Sequence, residues 1–257
     1  MGAKAAGPAA EGGEGKVKVG ERFLVVPGDL IAEGDYKIPA TSASTVYRRG
    51  RKFYSAVVGL AQIDEQSRTI KVIPLEGYYY PSEGDVVVGV VRSVGLTSWE
   101  IDIRAPFPGI LYASDFLGRP INPAKEELTD FLNVGDVIVA KVEVFDRTRD
   151  PLLSTKGKGL GKVTHGAIVE ISPVKVPRVI GKKGSMQATL EGETGCKLTV
   201  GKNGRIVINC PNEELKDVLV LAIRKIEREA HIPGLTDRIK EFIMKEKVRR
   251  GLIGGRS

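Results

Sequence analysis

A glycine-bounded pair of lysines is the pattern in this chain with the clearest chemical use. Gly181 and Gly184 enclose Lys182 and Lys183, and stretches that favour short helices lie on both sides. Such a turn leaves the backbone uncovered, so phosphate oxygens can approach main-chain N–H groups beside a helix N-terminus. The two lysines add charge attraction that does not depend on the base. The pattern therefore predicts a loop that binds a phosphate backbone.

The elements around this loop indicate whether it belongs to a known binding domain, because glycine-bounded tetrapeptides are common by chance in a chain with 31 glycines. A strand, GAIVEI, precedes the loop, and a hairpin with Asn203-Gly204 at its turn follows it. A long amphipathic helix then begins at Glu213, after the capping residue Asn212. This order of elements is typical of the KH domain, which binds RNA through a GXXG loop. The alternative is a plain helical hairpin with two lysines at its solvated tip.

Residues beside the loop extend the predicted RNA site. Arg178 precedes the loop, and Ser185 follows it. The segment KGKGLGKV, which is either a linker or a flexible end of the preceding domain, adds three cations: Lys156, Lys158 and Lys162. Because the loop is expected to be exposed, replacing Gly181 or Gly184 is expected to leave the protein folded.

Five short strand patterns precede this region: VVVGVVRSV, WEIDI, GILYAS, DVIVAKVEVF and PLLST. A longer connection separates the third from the fourth, which is the layout of a five-stranded OB barrel. Cations and aromatic rings would supply RNA contacts here. The candidates are Arg92, Arg104, Phe107, Tyr112 and Arg119. The alternative for the two rings is packing in the core, and Trp99 is expected in the barrel wall.

The predicted fold class is mainly β with a C-terminal α/β module. Residues 1–15, rich in Ala, Gly and Glu, are expected to form a disordered tail. Short β-type runs predict a small N-terminal domain over residues 16–80. The OB domain is predicted over residues 81–155 and the KH domain over residues 156–232. An amphipathic C-terminal helix falls within residues 233–257.

Positive charge is concentrated at the end of the chain. The net charge of +7 is divided as +2 over residues 1–80, −5 over residues 81–153 and +10 over residues 154–257. This asymmetry suggests an anionic partner, with single-stranded RNA as the first candidate and a solvated basic tail as the alternative. A local basic cluster in the first segment is either a solvated loop or part of a docking surface: Arg48, Arg49, Arg51 and Lys52.

Composition and motifs disfavour several classes of protein. No apolar run approaches the roughly 18 residues needed to cross a bilayer, and residues 1–15 lack an apolar signal core. We therefore expect a soluble, cytoplasmic protein without a membrane partner. Cys196 and Cys210 are expected to be buried free thiols, and His165 and His231 show no ligand spacing, so no metal or other cofactor is expected. No catalytic motif is present, and an enzyme is not expected.

Several motifs together resemble the KH-containing RNA-binding cap subunits of the archaeal exosome. The motifs are VVPGDLIAEGDY, YSAVVG, YYYPSEGDVVVGVV, GILYASD and VIGKKG. The resemblance runs from about residue 17 to residue 232. One departure is that Tyr112 stands where barrels of the ribosomal "S-one" type often carry a histidine, and the barrel segment is also acidic.

The resemblance implies a non-catalytic protein that sits in three copies on a six-membered ring of ribonuclease-PH-like subunits. It implies that the N-terminal domain docks on this ring while the protein binds RNA and directs the 3′ end into the pore for 3′-to-5′ degradation or tailing. An OB/KH transcription or translation factor that acts outside the exosome is the alternative. Bacterial elongation factors are disfavoured because they carry two KH modules, and polynucleotide phosphorylase because it carries catalytic domains.

Overall fold

Strands dominate the first two thirds of the chain, and helices gather at its C-terminal end. The computed structural model describes residues 22–39, 42, 45–122, 125–146, 148–230, 232 and 234–252. The chain divides into two units, residues 1–77 and residues 78–257. The tail predicted for residues 1–15 lies outside the described residues.

The described residues of the first unit form six short strands. They are β1 (Phe23–Val25), β2 (Leu30–Glu33), β3 (Val46–Arg49), β4 (Lys52–Ser55), β5 (Gly59–Asp64) and β6 (Thr69–Pro74). They pair into two antiparallel sheets with the orders β1-β5-β6 and β2-β4-β3. Because successive strand residues point to opposite faces, alternate residues of both sheets meet in one core that includes Phe53, Ile63 and Ile70. The predicted N-terminal β domain is confirmed.

A closed five-stranded barrel begins the second unit. Its strands are β7 (Val86–Val94), β8 (Ser98–Asp102), β9 (Gly109–Tyr112), β10 (Val137–Val144) and β11 (Leu152–Ser154). They pair in the order β11-β9-β8-β7-β10, and β10 pairs with β11 to close the barrel. The short helix α1 (Ala113–Leu117) follows β9. The OB barrel predicted from the five strand patterns is confirmed.

The barrel core explains the place of the single tryptophan. Trp99 is fully buried, and its indole Nε1 donates a hydrogen bond to the Leu132 carbonyl at 3.0 Å. Its ring meets Phe116 edge-on, with 5.4 Å between the ring centroids. Trp99 therefore lies in the barrel wall, as the sequence predicted, with its one polar atom satisfied.

The KH domain occupies the rest of the second unit. Its elements are β13 (Ala167–Glu170), α2 (Val176–Ile180), α3 (Ser185–Thr194), β14 (Lys197–Val200), β15 (Arg205–Asn209), α4 (Glu213–Glu229) and α5 (Leu235–Arg249). The antiparallel sheet has the order β13-β15-β14. Asn212 caps α4 as predicted, because its Oδ1 accepts a hydrogen bond from the Leu215 N–H at 2.8 Å.

The predicted domain limits stay predictions, and two elements make contacts across them. The two-residue strand β12 (Gly161–Lys162) pairs with β10, so the barrel sheet extends past residue 155. Ile239 and Ile243 of α5 are fully buried in the same apolar core as α3 and α4. The C-terminal helix is thus part of the KH core, because its apolar face needs a surface to cover.

The turn of the β14–β15 hairpin fastens the KH domain to the barrel. Asn203 is completely buried; its amide Nδ2 donates to the Val88 and Ile103 carbonyls at 2.7 and 3.0 Å, and its Oδ1 accepts from the Val88 N–H at 3.2 Å. Beside it, the Arg205 guanidinium donates to the Asp102 carboxylate at 2.6 Å. Val88 and Val139 of the barrel also pack with Val207 of the KH domain in a small buried apolar cluster.

A disulfide bond joins Cys196 and Cys210, so the expectation of free thiols is wrong. In the β14–β15 register Lys197 lies opposite Asn209, which places the residues just outside this pair opposite each other as well. Their Cα atoms are 4.2 Å apart. The expectation rested on a reducing compartment, whereas strand pairing brings the two sulfur atoms together.

We predict that this disulfide stabilises the fold by about 3 kcal/mol, because it closes a loop across 14 residues and restricts the unfolded chain. Guanidinium denaturation should give the double variant Cys196→Ala, Cys210→Ala a free energy of unfolding lower by that amount. Wild-type protein under a strong reductant should fall to nearly the same value. Equal stability of oxidised protein and double variant would contradict the prediction.

Candidate nucleic-acid interface

The GKKG loop is a tight turn between two helices. Helix α2 ends at Ile180, and α3 begins at Ser185 directly after the loop. Positive φ angles at Gly181 (76°), Lys183 (54°) and Gly184 (80°) reverse the chain within four residues. The first N–H groups of α3 have no acceptor within their own helix, so they lie at an end with positive dipole character.

The two glycines are needed for different reasons. A Cβ atom at Gly181 would lie 2.5 Å from the Met186 backbone nitrogen, so a side chain there would push against α3. A Cβ atom at Gly184 would meet nothing within 4 Å, and only its positive φ favours glycine. The expectation that both glycines tolerate substitution is therefore wrong for Gly181. A side chain at Gly184 would project into open space directly before the first residue of α3.

The cations of the loop are free to meet an anion. Lys182, Lys183 and Arg178 are exposed, and among the described residues none of them has an ion pair or a side-chain hydrogen bond. Ser185 is also exposed and opens α3. These residues combine unpaired positive charge with the N-terminal end of a helix, which is the chemistry that holds phosphate groups.

The lysines of the glycine-rich segment differ from those of the loop. Lys156 lies 2.9 Å from the Asp115 carboxylate, and Lys162 lies 2.6 Å from that of Asp136. The hydrogen bond with Asp115 raises the pKa of Lys156, and that with Lys162 lowers the pKa of Asp136. Lys158 alone of the three is exposed without a partner among the described side chains. Two of the three lysines predicted to bind RNA are thus already paired with carboxylates of the barrel.

The predicted barrel arginines are likewise paired within the protein. Arg119 forms two hydrogen bonds with Glu126, which lower the pKa of that carboxyl to about 2. Arg92 lies 3.6 Å from Glu100. Arg104 is half-buried at the junction with the KH domain, where it donates to the Ile171 carbonyl at 3.0 Å.

The two predicted aromatic contacts have different surroundings. Phe107 packs against Tyr80 and Phe145, with ring centroids 6.1 and 5.5 Å away. Phe107 therefore packs against other rings, which was the alternative to its predicted RNA contact. Tyr112 is 47% exposed at the end of β9, and its ring stays available for stacking.

Side chains that the sequence did not single out close the neighbouring strand edge. Gln187 Nε2 donates to the Leu198 carbonyl at 3.0 Å, and Glu191 Oε1 accepts from the Leu198 N–H at 2.9 Å. Since β14 is an edge strand, these bonds satisfy backbone groups that would otherwise be open. Gln187 and Glu191 lie four residues apart along α3, and this spacing is the signal that could have identified the pair.

The described residues contain no group of three or more His, Cys, Asp or Glu side chains arranged to hold a metal ion. None of the described helices is long and apolar enough to cross a membrane.

An OB barrel fastened to a KH domain with an uncovered GXXG loop defines a protein of the OB/KH class. Two family models match the chain: the exosome RNA binding protein RRP4 N-terminal domain over residues 22–76, and the KH domain over residues 166–214. Relatives named exosome complex component Rrp4 cover nearly the whole chain, as the following matches show.

The Rrp4 of Sulfurisphaera tokodaii is 48% identical over 89% of this chain and 91% of its own length. That of Saccharolobus solfataricus is 47% identical over 93% and 95% of the two chains. A crystal structure described as an exosome complex RNA-binding protein is 52% identical, with a TM-score of 0.65 over 68% of this chain and 99% of its own. The chain belongs to the Rrp4 family of archaeal exosome components.

We predict that the loop lysines contact phosphates independently of base sequence. The double variant Lys182→Ala, Lys183→Ala should weaken binding to unstructured oligonucleotides about equally across sequences. Its slope of log K against log salt should flatten by about 1.4, at about 0.7 per phosphate contact on a single strand. A salt titration of affinity measures both effects, and an unchanged slope would show that the loop is only a solvated connection.

Gly184 offers a matched pair of variants for the same assay. Gly184→Asn keeps a residue type that tolerates positive φ, whereas Gly184→Asp adds a negative charge at the same point. The Asp variant should bind more weakly than the Asn variant, with circular dichroism spectra unchanged in both. Equal affinities would place the phosphate elsewhere.

Proposed function

We propose that this protein is a non-catalytic RNA-binding cap subunit of an archaeal exosome in the cytoplasm. It holds single-stranded RNA at the KH loop and directs the 3′ end into a ring of ribonuclease-PH-like subunits for degradation or tailing. Three copies would occupy one face of the ring. The observation that carries the RNA-binding part is the unpaired charge of Lys182 and Lys183 beside the N-terminus of α3.

The distribution of paired and free cations supports RNA binding at the KH loop rather than at the barrel. Lys156, Lys162 and Arg119 hold carboxylates of the barrel, so they carry little net charge to a phosphate. The loop cations have no such carboxylate among the described residues. An RNA strand is therefore attracted to the KH domain first, and Tyr112 is the barrel ring best exposed for stacking a base.

The outer face of the β1-β5-β6 sheet supports docking by the N-terminal unit. Leu24 lies opposite Leu60, and Leu60 lies opposite Ile73, so the three side chains form a row across the sheet. Leu24 and Ile73 are exposed, as are the neighbouring Val26 and Val58. A contiguous exposed apolar row of this kind marks a protein interaction surface. We assign this row to the ring contact.

We predict that purified protein added to the ring subunits will co-elute with them and increase the rate of decay of an unstructured RNA. Ile73→Asp should abolish co-elution, because a carboxylate would be buried against the ring without a partner. Gln62→Asp, on the neighbouring strand β5 and the same face, also changes the net charge by −1 and serves as the charge-matched control beside the row. Size-exclusion chromatography and a decay assay with end-labelled RNA measure the two effects.

The Lys182→Ala, Lys183→Ala variant separates RNA binding from assembly with the ring. It should still co-elute with the ring but increase the decay rate less than wild type. Protein alone should release no nucleotides in the presence of Mg²⁺ and phosphate. Failure of the wild-type chain to join the ring would favour a factor that acts outside the exosome. Release of nucleotides by the protein alone that persists through purification would contradict the non-catalytic assignment.

A further inference from the structure

The outer face of the second N-terminal sheet, β2-β4-β3, has a different chemistry from the apolar row. We call it the tyrosine–cation face. Strand alternation and cross-strand pairing place six side chains on it: Leu30, Glu33, Tyr47, Arg49, Lys52 and Tyr54. The opposite face of the same strands, with Val46, Phe53 and Ser55, is buried in the core.

Two parallel aromatic rings form the centre of the tyrosine–cation face. Tyr47 lies directly opposite Tyr54 on the neighbouring strand, and the ring centroids are 5.4 Å apart with 17° between the planes. Tyr47 is 40% exposed. Because Phe53 and Val46 pack beneath the strands, the rings sit on a rigid support. Such a pair is a platform on which a nucleobase can stack, since every base has a flat π face.

Two unpaired cations lie beside the rings. Arg49 is directly opposite Lys52, each two residues along its strand from a tyrosine of the pair. Neither has an ion pair or hydrogen bond with a described residue, although Glu33 lies opposite Lys52 on the other side. Like charges directly across a ladder destabilise it, so an anion between them would relieve the repulsion.

The spacing of rings and cations fits a nucleotide. Two residues along a strand are about 7 Å, which is comparable to the distance between a base and the phosphates next to it. The other cations of the hairpin are engaged elsewhere: the Arg48 Nε–H donates to the Gly50 carbonyl, and Arg51 pairs with Asp35. The free charges of the hairpin are therefore those that share a face with the rings.

We propose that the tyrosine–cation face is a second binding site for single-stranded RNA, with a base stacked on Tyr47 and phosphates held by Arg49 and Lys52. An acidic protein surface would use the cations but has no need of the stacked rings. This site is additional to the KH loop and uses a different sheet from the apolar docking row. Its existence does not depend on assembly with the ring.

Photo-crosslinking of the full chain to an oligouridine that carries 5-iodouridine tests the stacking contact. Mass spectrometry should identify a crosslink to Tyr47 or Tyr54. Tyr47→Leu, which keeps the apolar contact with the sheet, should reduce this crosslink at least tenfold and leave crosslinks elsewhere unchanged. Absence of any crosslink in the peptide from residue 46 to residue 55 would overturn the proposal.

A salt titration of RNA affinity tests the charges. Arg49→Ala with Lys52→Ala should flatten the log–log salt slope by about 1.4. Arg51→Ala, in the same exposed hairpin but paired with Asp35, removes one charge and should leave the slope nearly unchanged, whereas Arg49→Ala or Lys52→Ala alone should flatten it by about 0.7. An equal slope change for Arg51→Ala would show that the charge acts diffusely and would overturn the proposal. A double variant that loses affinity for polyglutamate but not for RNA would show that the cations bind an acidic protein, and it would overturn the proposal as well.

Discussion

The contact between the β14–β15 turn and the barrel is the constraint on which the second unit depends. Asn203 is wholly buried and satisfied by three hydrogen bonds to the backbone of Val88 and Ile103. The Arg205 side chain is 8% exposed and is held by Asp102 and Glu170. Burial alone raises the pKa of Asp102, but hydrogen bonds from Arg205 and the Arg104 N–H outweigh it and lower the pKa. A buried charge that lost these partners would cost about 3–5 kcal/mol.

The same hairpin also fixes the loop that meets RNA in our proposal. Its open end is closed by the Cys196–Cys210 disulfide, and its turn is held in the barrel. Leu198 in β14 is bonded to Gln187 and Glu191, so α3 is tied to the hairpin. Since α3 begins directly after Gly184, the position of the GKKG loop follows from the position of the hairpin.

Local patterns in the sequence predicted the elements well, and long-range pairing explains what they missed. Asn203-Gly204 was identified as a hairpin turn, but the acceptors of Asn203 lie 100 and 115 residues away along the chain. The free or paired state of a lysine is also a tertiary property, because Asp115 and Asp136 reach Lys156 and Lys162 only in the folded barrel. Tyr47 and Tyr54 stack because the β3–β4 register places them opposite each other, and this register is not evident from the local sequence pattern.

A distance measurement between the barrel and the KH domain tests the central claim that the β14–β15 turn holds the two domains together. Leu96→Cys and Arg228→Cys place spin labels on exposed positions of the two domains. Electron–electron resonance should give one narrow distance distribution in the otherwise wild-type chain. It should give a broad one when Asn203→Ala and Arg205→Ala are added. A distribution that is equally broad with the junction intact would contradict the account.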